Sequence, residues 1–301
     1  ENNESFDRFK KRSLVRVIPQ NLHQVNFEEE ELKIMKLSMP YIPYSYQKES
    51  IGILLKALLK NTKTIMFESP TGTGKTQTIL SALLTYTDHL KKKKLLKPTK
   101  ILYFTRTISQ MNQVIDEVKK TSFNVTATIM ASRNHLCINK KVLENKVSSN
   151  LEALCMDAQK RNDCNYRIYA RRNTDHKKQN TDNIKIEMEE NEKENVSKNF
   201  LLQSVINDIE DLKVVGKSCK ICPYYYTKSI SNSCEVVVLS YNYLTDRECR
   251  RSIEEYIDDS ILVFDEAHNL IKVLEEASTF SIDFKHLEKG REELTNIKDQ
   301  I

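Results

Sequence analysis

The chain has 301 residues, of which 30% are charged and 39% are hydrophobic. This length allows one large or two ordinary domains with a real core, and no apolar run approaches the length of a transmembrane helix. The net charge of +5 permits nucleic-acid binding without arguing for it, and the acidic, polar first residues are unlike a secretory signal. Seven cysteines in a chain of this size favour metal binding or free thiols over a disulfide framework.

Short apolar runs alternate with helical patterns from residue 39 onward. Residues 1–38 are charged and lack periodicity, which predicts an N-terminal extension. Apolar residues at helical spacing predict amphipathic helices after residues 47, 76 and 113. The predicted strands are residues 64–67, 101–104, 125–130, 236–239 and 261–264. This alternation predicts an α/β fold, a parallel sheet covered by helices.

The stretch 131–233 differs from the rest because cysteines concentrate there and strand patterns are hard to find. Within it, residues 173–199 are rich in Asn, Lys and Glu and nearly free of large apolar side chains, which predicts a disordered stretch. We therefore predict an inserted domain at 131–233. It interrupts a nucleotide-binding domain formed by residues 39–130 and 234–279.

A phosphate-binding loop is predicted at residues 69–76 because an apolar run precedes it and a helical pattern follows. The loop departs from G-x-x-x-x-G-K-[ST] only at its first position, which is serine. Its glycines let backbone N–H groups face phosphate oxygens at a helix N-terminus. The lysine reaches the β- and γ-phosphates and the last threonine binds Mg²⁺. The predicted ATP-binding residues are Ser69, Pro70, Thr71, Gly72, Thr73, Gly74, Lys75 and Thr76.

An acidic box, Asp265-Glu266-Ala267-His268, follows the last predicted strand. A buried parallel strand would place Asp265 at its carboxyl end, where open α/β sheets bind ligands. We predict that Asp265 holds Mg²⁺, that Glu266 orients and deprotonates the attacking water, and that His268 links the ATP state to movement. A helix N-cap explains such a box alone, but its pairing with a phosphate loop favours catalysis. The predicted catalytic residues are Glu266, Lys75 and Asp265.

The spellings SPTGTGKT and DEAHN resemble DEAH-type superfamily 2 helicases. The stretches TRTISQ (105–110), SRNHLC (132–137), CPYY (222–225) and LSYNYL (239–244) are similar to XPD-type iron–sulfur DNA helicases. Residues 39–41 and 275–280 look most like the regulator-of-telomere-length branch. The resemblance covers roughly residues 39–290. It implies a RecA-like parallel sheet with helices on both faces, an inserted iron–sulfur domain, and the start of an Arch insertion at 280–301. It also places a second RecA-like domain outside these residues.

All seven cysteines fall within the 190 residues that separate Lys75 from Asp265, far more chain than a βαβ unit needs. Thiolates select zinc or iron–sulfur clusters, and four of them hold a [4Fe–4S] cube. The C-x₂-C pair of Cys219 and Cys222 is compatible with zinc, and free thiols are the third alternative. The resemblance implies a [4Fe–4S] cluster and treats Cys219, Cys234 and Cys249 as non-ligands. The ligands that it implies are Cys137, Cys155, Cys164 and Cys222.

The resemblance also implies contacts with ATP and DNA. Gln47 resembles a glutamine that reads the adenine edge, with a solvated helix-start residue as the alternative. Arg106 is predicted to contact a DNA phosphate, and Arg133 to support the cluster near DNA, with a surface arginine as the alternative. Single-stranded nucleic acid is held by basic grooves and aromatic faces, yet core packing explains Tyr224, Tyr241 and other tyrosines equally well.

The function implied is a nuclear ATP- and Mg²⁺-dependent DNA helicase, mainly 5′→3′, that acts on single strands and forked duplexes in repair or genome maintenance. Repair or transcription complex subunits are implied as partners, and a membrane is not. Two alternatives stay open: an RNA-directed DEAH motor, which has no need of the cysteines, and a non-catalytic complex subunit, against which the intact loop and box argue.

Overall fold

The computed structural model describes residues 23–25, 32, 35, 37–93, 99–144, 150–166, 206–280 and 282–298. The predicted disordered stretch 173–199 and most of the predicted N-terminal extension lie outside these ranges. In the described part of the chain, no helix is long and apolar enough to span a membrane.

Six strands and twelve helices are described. The strands are β1 (His23–Val25), β2 (Leu37–Met39), β3 (Lys100–Thr105), β4 (Ala127–Met130), β5 (Val236–Ser240) and β6 (Ser260–Phe264). The first six helices are α1 (Ser45–Leu59), α2 (Lys75–Lys92), α3 (Ile108–Lys120), α4 (Arg133–Leu136), α5 (Lys140–Glu144) and α6 (Leu151–Lys160). The other six are α7 (Ile209–Ser218), α8 (Pro223–Ile230), α9 (Asn242–Thr245), α10 (Arg247–Arg251), α11 (Asn269–Ser278) and α12 (Phe284–Lys298).

The main sheet has four parallel strands in the order β4-β5-β3-β6. Every residue of β3 and β4 is buried, so both faces of the sheet are covered. Helix α3 packs on β3, β4 and β5, and α8 packs on β4. This arrangement confirms the predicted α/β, RecA-like fold with a parallel sheet and helices. The strands β1 and β2 form a separate antiparallel pair.

One predicted strand is wrong, because residues 64–67 form no regular structure and pair with none of the described strands. Met66 is 95% exposed and Ile65 is 36% exposed, so the apolar run is not a core strand. A strand needs a hydrogen-bonded neighbour. Among the described residues, β6 pairs only with β3 and lies at the edge of the sheet. The predicted burial of β6 is also only partial, since Leu262 is 37% exposed.

The predicted insertion contributes to two separate cores. Residues between 137 and 166 form a small cluster around Val142, Leu151, Ala158 and Cys164. Helices α7 and α8 instead join the main core with residues such as Leu212 and Ile230. The boundaries predicted from the sequence, including those at 131–233 and 280–301, stay predictions. Cys137 and Cys164 belong to the small cluster, whereas Cys219, Cys222, Cys234 and Cys249 pack in or against the main core.

Candidate nucleotide site and cysteine cavity

The predicted phosphate loop, residues 69–76, runs into helix α2: Gly74 is the N-cap of that helix, and Lys75 and Thr76 are its first two residues. Gly74 has φ of +74°, and a Cβ there would lie 2.7 Å from the Gln47 side-chain nitrogen, so only glycine fits. The loop is braced internally, because the Ser69 and Thr73 hydroxyls are 2.6 Å apart and Thr73 Oγ1 donates to Pro70 O at 2.8 Å. Lys75 Nζ donates to Ser69 O at 3.1 Å. The loop therefore lies at the N-terminus of α2, whose first backbone amides and dipole favour an anion.

The acidic box lies against the loop, as predicted from the sequence. Lys75 Nζ is 3.5 Å from Glu266 Oε1 although 190 residues separate the two positions in the chain. Asp265 sits one residue beyond β6, and its N–H donates to Phe104 O at 2.9 Å. His268 Nδ1 lies 3.4 Å from Glu266 Oε2. The fold therefore brings together all three residues predicted to be catalytic.

Aromatic side chains hold the acidic box at the end of β6. The Phe264 ring stacks on Phe104 at 5.5 Å and on Tyr241 at 6.4 Å between centroids. The Tyr241 hydroxyl donates to Asp265 O. Tyr241 is 1% exposed, so core packing explains this tyrosine and base stacking does not. The positioning role of Tyr241 was not identified from the sequence.

Burial raises the pKa of Asp265, and the neighbouring charge of Glu266 raises it further, while Lys75 opposes both. A carboxylate that is costly to ionise without a nearby positive charge is a suitable ligand for a divalent cation. Glu266 differs from Asp265 in having φ of +55°, a conformation that costs a non-glycine residue about 1 kcal/mol or more. This turn directs the Glu266 carboxylate toward Lys75 and His268.

Gln47 is buried beside the loop, which excludes a solvated helix-start residue. Its Oε1 accepts from Tyr44 N at 3.0 Å and its Nε2 donates to Thr73 O at 3.0 Å. The Tyr41 side chain also forms a hydrogen bond with Gln47. The amide therefore ties the start of α1 to the phosphate loop.

Arg106 is exposed just after β3, and its Nη1 donates to Asn269 Oδ1 at 2.9 Å. Asn269 Nδ2 donates to Glu266 O at 3.2 Å and lies 3.1 Å from His268 Nε2. The predicted DNA-contact arginine is thus joined to the acidic box through one side chain. Sequence reasoning did not identify Asn269 as part of the site.

A cavity beside the small cluster is lined by the four cysteines that the resemblance selected as ligands. The other residues around it belong to α4, α5, α6, α8 and the turns beside them. The cysteines are Cys137, Cys155, Cys164 and Cys222. The lining includes none of the three cysteines set aside as non-ligands. No three His, Cys, Asp or Glu side chains among the described residues converge on a single-ion site.

The cavity thiols are buried enough to affect each other's ionisation. Burial raises the pKa of Cys222 to about 11, and the charges of Cys164 and Cys137 add to the rise. Burial likewise raises the pKa of Cys137, with Cys155 and Cys164 contributing. Several thiols that are hard to ionise together in an apolar site need a cation to become thiolates.

Arg133 holds the elements around this cavity. Its guanidinium pairs with Glu152 on α6 and lies 4.3 Å from the Tyr224 ring centroid on α8. It also forms a hydrogen bond with the Tyr225 side chain. The Arg133 side chain is only 20% exposed, which excludes a surface arginine. The structure therefore gives Arg133 a part in positioning the helices that carry the cysteines.

Comparisons with known proteins agree with this arrangement. Residues 103–287 match the DEAD_2 family, a range that includes the acidic box and the four cavity cysteines but begins after the phosphate loop. The regulator of telomere elongation helicase 1 homolog of Drosophila persimilis is 29% identical over an alignment of 294 residues that covers 86% of this chain and 27% of that protein. Regulator of telomere elongation helicase 1 of Homo sapiens is 27% identical over an alignment of 299 residues that covers 88% of this chain and 23% of that protein.

The fold also matches a solved structure. An XPD helicase aligns with 78% of this chain and 34% of its own length, with a TM-score of 0.50 and 20% sequence identity. At this identity the likeness shows the fold alone. The chain spans about a quarter of the length of the curated relatives it matches.

Proposed function

Because the chain belongs to the DEAD_2 family, we propose that it is the ATP-binding part of an ATP-dependent DNA helicase that acts in DNA repair or genome maintenance. The observation that carries the proposal is the 3.5 Å contact between Lys75 and Glu266. It joins a phosphate loop at a helix N-terminus to an acidic box at a strand end. These are the two halves that phosphoryl transfer from ATP needs.

Each residue of the site has a distinct task in this function. The N-terminal amides of α2 and Lys75 hold the phosphates of ATP, which is the substrate. Thr76 and Asp265 would hold Mg²⁺, which neutralises charge that develops on the phosphates when it is bound. Glu266 accepts the proton of the attacking water. Gln47 would contact the adenine edge from its position between Tyr44 and Thr73.

ATP binding to the 301-residue chain tests this site. We expect Lys75→Ala to weaken ATP binding about tenfold to a hundredfold, because hydrogen bonds to charged groups contribute about 1.5–3 kcal/mol each. Isothermal titration calorimetry with Mg²⁺ measures the effect. Lys63→Ala, which removes an exposed lysine six residues before the loop, is the matched control. Equal ATP affinity in the two variants would contradict the proposal.

The cysteine cavity fits a [4Fe–4S] cluster as the second cofactor. Four thiols around one cavity, of which Cys164 is buried and the other three are half-buried, are a suitable donor set. Each iron at a corner of the cube takes one thiolate, so the sulfurs need not converge on one ion. The cluster would be held by Cys137, Cys155, Cys164 and Cys222 and would join their elements covalently. In this small core, such a link replaces apolar surface that the sequence does not provide.

Iron and sulfide content of anaerobically purified protein tests the cluster. We expect Cys222→Ser to abolish visible absorption and stoichiometric iron, whereas Cys219→Ser, three residues away, leaves both unchanged. A colourless protein that contains zinc, or an equal loss of iron in the Cys219 variant, would overturn the assignment.

The proposed nucleic-acid partner is DNA, as a single strand or forked duplex, with 5′→3′ movement and a role in the nucleus. Arg106 would contact the backbone. Arg133 would lie near DNA while it supports the cluster. Repair or transcription complex subunits are proposed as protein partners. Unwinding of matched DNA and RNA forks by the full-length protein decides between DNA and RNA as the substrate.

A further inference from the structure

Helix α8 connects the cysteine cavity with the main core. Its N-cap is Cys222, a proposed iron–sulfur ligand that packs against the main core. Cys137 and Cys164 belong instead to the small cluster of apolar residues around Val142. The position of Cys222 relative to these ligands therefore depends on how α8 is held at its two ends.

The start of α8 lies directly on helix α7 at Gly216. A Cβ at residue 216 would lie 2.6 Å from Pro223 Cγ and 2.8 Å from Ile221 O, which is closer than atoms in contact approach. The Ile221 N–H also donates to Gly216 O at 2.9 Å. Glycine is less favourable than alanine inside a helix, and this close approach explains its presence in α7. Ile221 and Pro223 are the chain neighbours of Cys222, so the missing side chain at residue 216 sets how closely the turn of Cys222 approaches α7.

The end of α8 is held by Lys100, the first residue of β3. The Lys100 ammonium donates to Ser231 O at 2.5 Å, to Asn232 O at 2.9 Å and to Cys234 O at 2.9 Å. It also lies 4.3 Å from the Tyr256 ring centroid. Burial lowers the pKa of Lys100 to about 8, so the ammonium is still charged at neutral pH. Carbonyls that follow a helix C-terminus favour a cation, so this contact fastens α8 to the sheet.

We propose that Gly216 and Lys100 are positioning residues for the iron–sulfur cluster, an inference that rests on the proposed cluster site. They hold the two ends of α8, and this places Cys222 at the cavity before the cluster is bound. Neither residue lines the cavity, so both act through Cys222. Contacts that orient a metal ligand from outside typically change metal affinity about 10- to 100-fold.

The rate of iron release to a chelator, measured on anaerobically purified full-length protein, tests Gly216. We expect Gly216→Ala to release iron about tenfold faster, because the added Cβ moves the turn that carries Cys222 away from α7. The control is Gly290→Ala on α12, where a Cβ meets nothing within 4 Å. The double variant Gly216→Ala/Pro223→Ala lacks the ring atoms that the Cβ would meet, so it should recover part of the retention. Release at the wild-type rate in Gly216→Ala would overturn the role of Gly216.

Lys100→Met tests the other end of α8 independently. It removes the three hydrogen bonds to the carbonyls and keeps an unbranched side chain, so we expect iron release several-fold faster than in the wild type. Lys91→Met is the control, because Lys91 forms an ion pair with Glu235 close to the same turn but is more exposed. Equal release rates in the two lysine variants would contradict the proposed role of Lys100.

Val114→Ala separates positioning from overall stability, because it removes buried methyl groups from α3 in the main core. Thermal melts by circular dichroism rank all variants by stability. We expect Val114→Ala to melt earlier and to release iron at the wild-type rate. If it releases iron as fast as Gly216→Ala, iron loss reports stability alone and the positioning role is refuted. Wild-type protein that purifies without iron would refute the proposed cluster itself.

Discussion

Asp265 and Glu266 are neighbours in the chain, yet the structure holds them by different contacts. Asp265 continues the line of β6 through its bond to Phe104 O, and its carbonyl accepts from Tyr241. Glu266 turns away through its positive φ and faces Lys75. The two carboxylates can therefore act on different partners, with Asp265 toward a cation and Glu266 toward water.

Replacement of the Glu266 carboxylate should stop chemistry and leave binding intact. We expect Glu266→Gln to keep ATP affinity within about threefold while hydrolysis by the full-length protein falls about 10²- to 10⁴-fold, the usual contribution of a general base. Steady-state phosphate release measures this loss. Glu275→Gln on the exposed face of α11 is the matched control. Hydrolysis at the wild-type rate in the Glu266 variant would exclude Glu266 as the base.

Asn269 offers a second prediction, because it bonds both Arg106 and Glu266 O. Asn269→Ala should leave hydrolysis without DNA nearly unchanged and reduce its stimulation by single-stranded DNA several-fold, since Arg106 loses the partner that fixes it. The measurement is hydrolysis by the full-length protein with and without DNA. Asn124→Ala, at an exposed position before β4, should behave as wild type. Equal stimulation in both variants would mean that Asn269 carries no coupling.

Individual residues show which parts of the site can be predicted from the sequence. Lys75 was identified from the loop pattern and Asp265 from its place after an apolar run, and the four cysteines selected by resemblance line one cavity. The bonds of Gln47 to Tyr44 and Thr73 were not predictable, because they depend on where α1 lies against the loop. The contacts of Asn269 with Arg106 and Glu266 could not be predicted for the same reason.

At the scale of elements, four of the five strands predicted from local pattern are observed, as are the helices before and after the loop, whereas β1 and β2 were not predicted. The apolar run at residues 64–67 wrongly predicted a strand. Strand formation depends on a hydrogen-bonded neighbouring strand, which a local apolar run does not reveal. Local pattern also missed that α7 and α8 belong to the main core while the segment around Cys137 and Cys155 has its own.

Ion pairs connect the N-terminus of helix α7 to helix α3. Lys119 Nζ donates to Asp208 Oδ2 at 2.6 Å and to Asp211 Oδ2 at 3.0 Å, and Asp208 caps α7 by accepting from Asp211 N at 2.8 Å. Burial alone would raise the pKa of Asp208, but the bonds from Lys119 and the Asp211 amide lower it overall. Asp208 therefore stabilises the fold in its charged form.

This lowered pKa predicts a pH dependence of stability. The unfolded carboxyl has the ordinary pKa of 3.8, so the contribution is fully present well above that pH and is lost as the pH falls through the lower folded pKa. We expect Asp208→Asn to destabilise the chain by about 1 kcal/mol at neutral pH, since asparagine keeps the cap and loses the charge. Urea unfolding at pH 7 and at successively lower pH should show the difference between the two proteins shrinking. A difference that is constant with pH would refute this origin.

At the scale of the whole molecule, several apolar side chains near the end of the described chain are exposed to solvent. Helix α11 buries none of its residues, and Ile271 is 68% exposed. Phe280 and Phe284 are 83% and 73% exposed. These faces lie just after the acidic box, so whatever covers them would also bear on the nucleotide site.

The nucleotide site itself is open, which leads to a prediction for the 301-residue chain. The side chains of Lys75 and Glu266 are 26% and 34% exposed, whereas phosphoryl transfer needs excluded water and positive charge around the transferred group. We expect this chain to bind ATP weakly, to hydrolyse it at least about a hundredfold more slowly than the full-length protein, and to leave forked DNA paired. Phosphate release and a fluorescence-based unwinding assay on both proteins measure the difference. Robust DNA-stimulated hydrolysis by the 301-residue chain would show that its site is already complete.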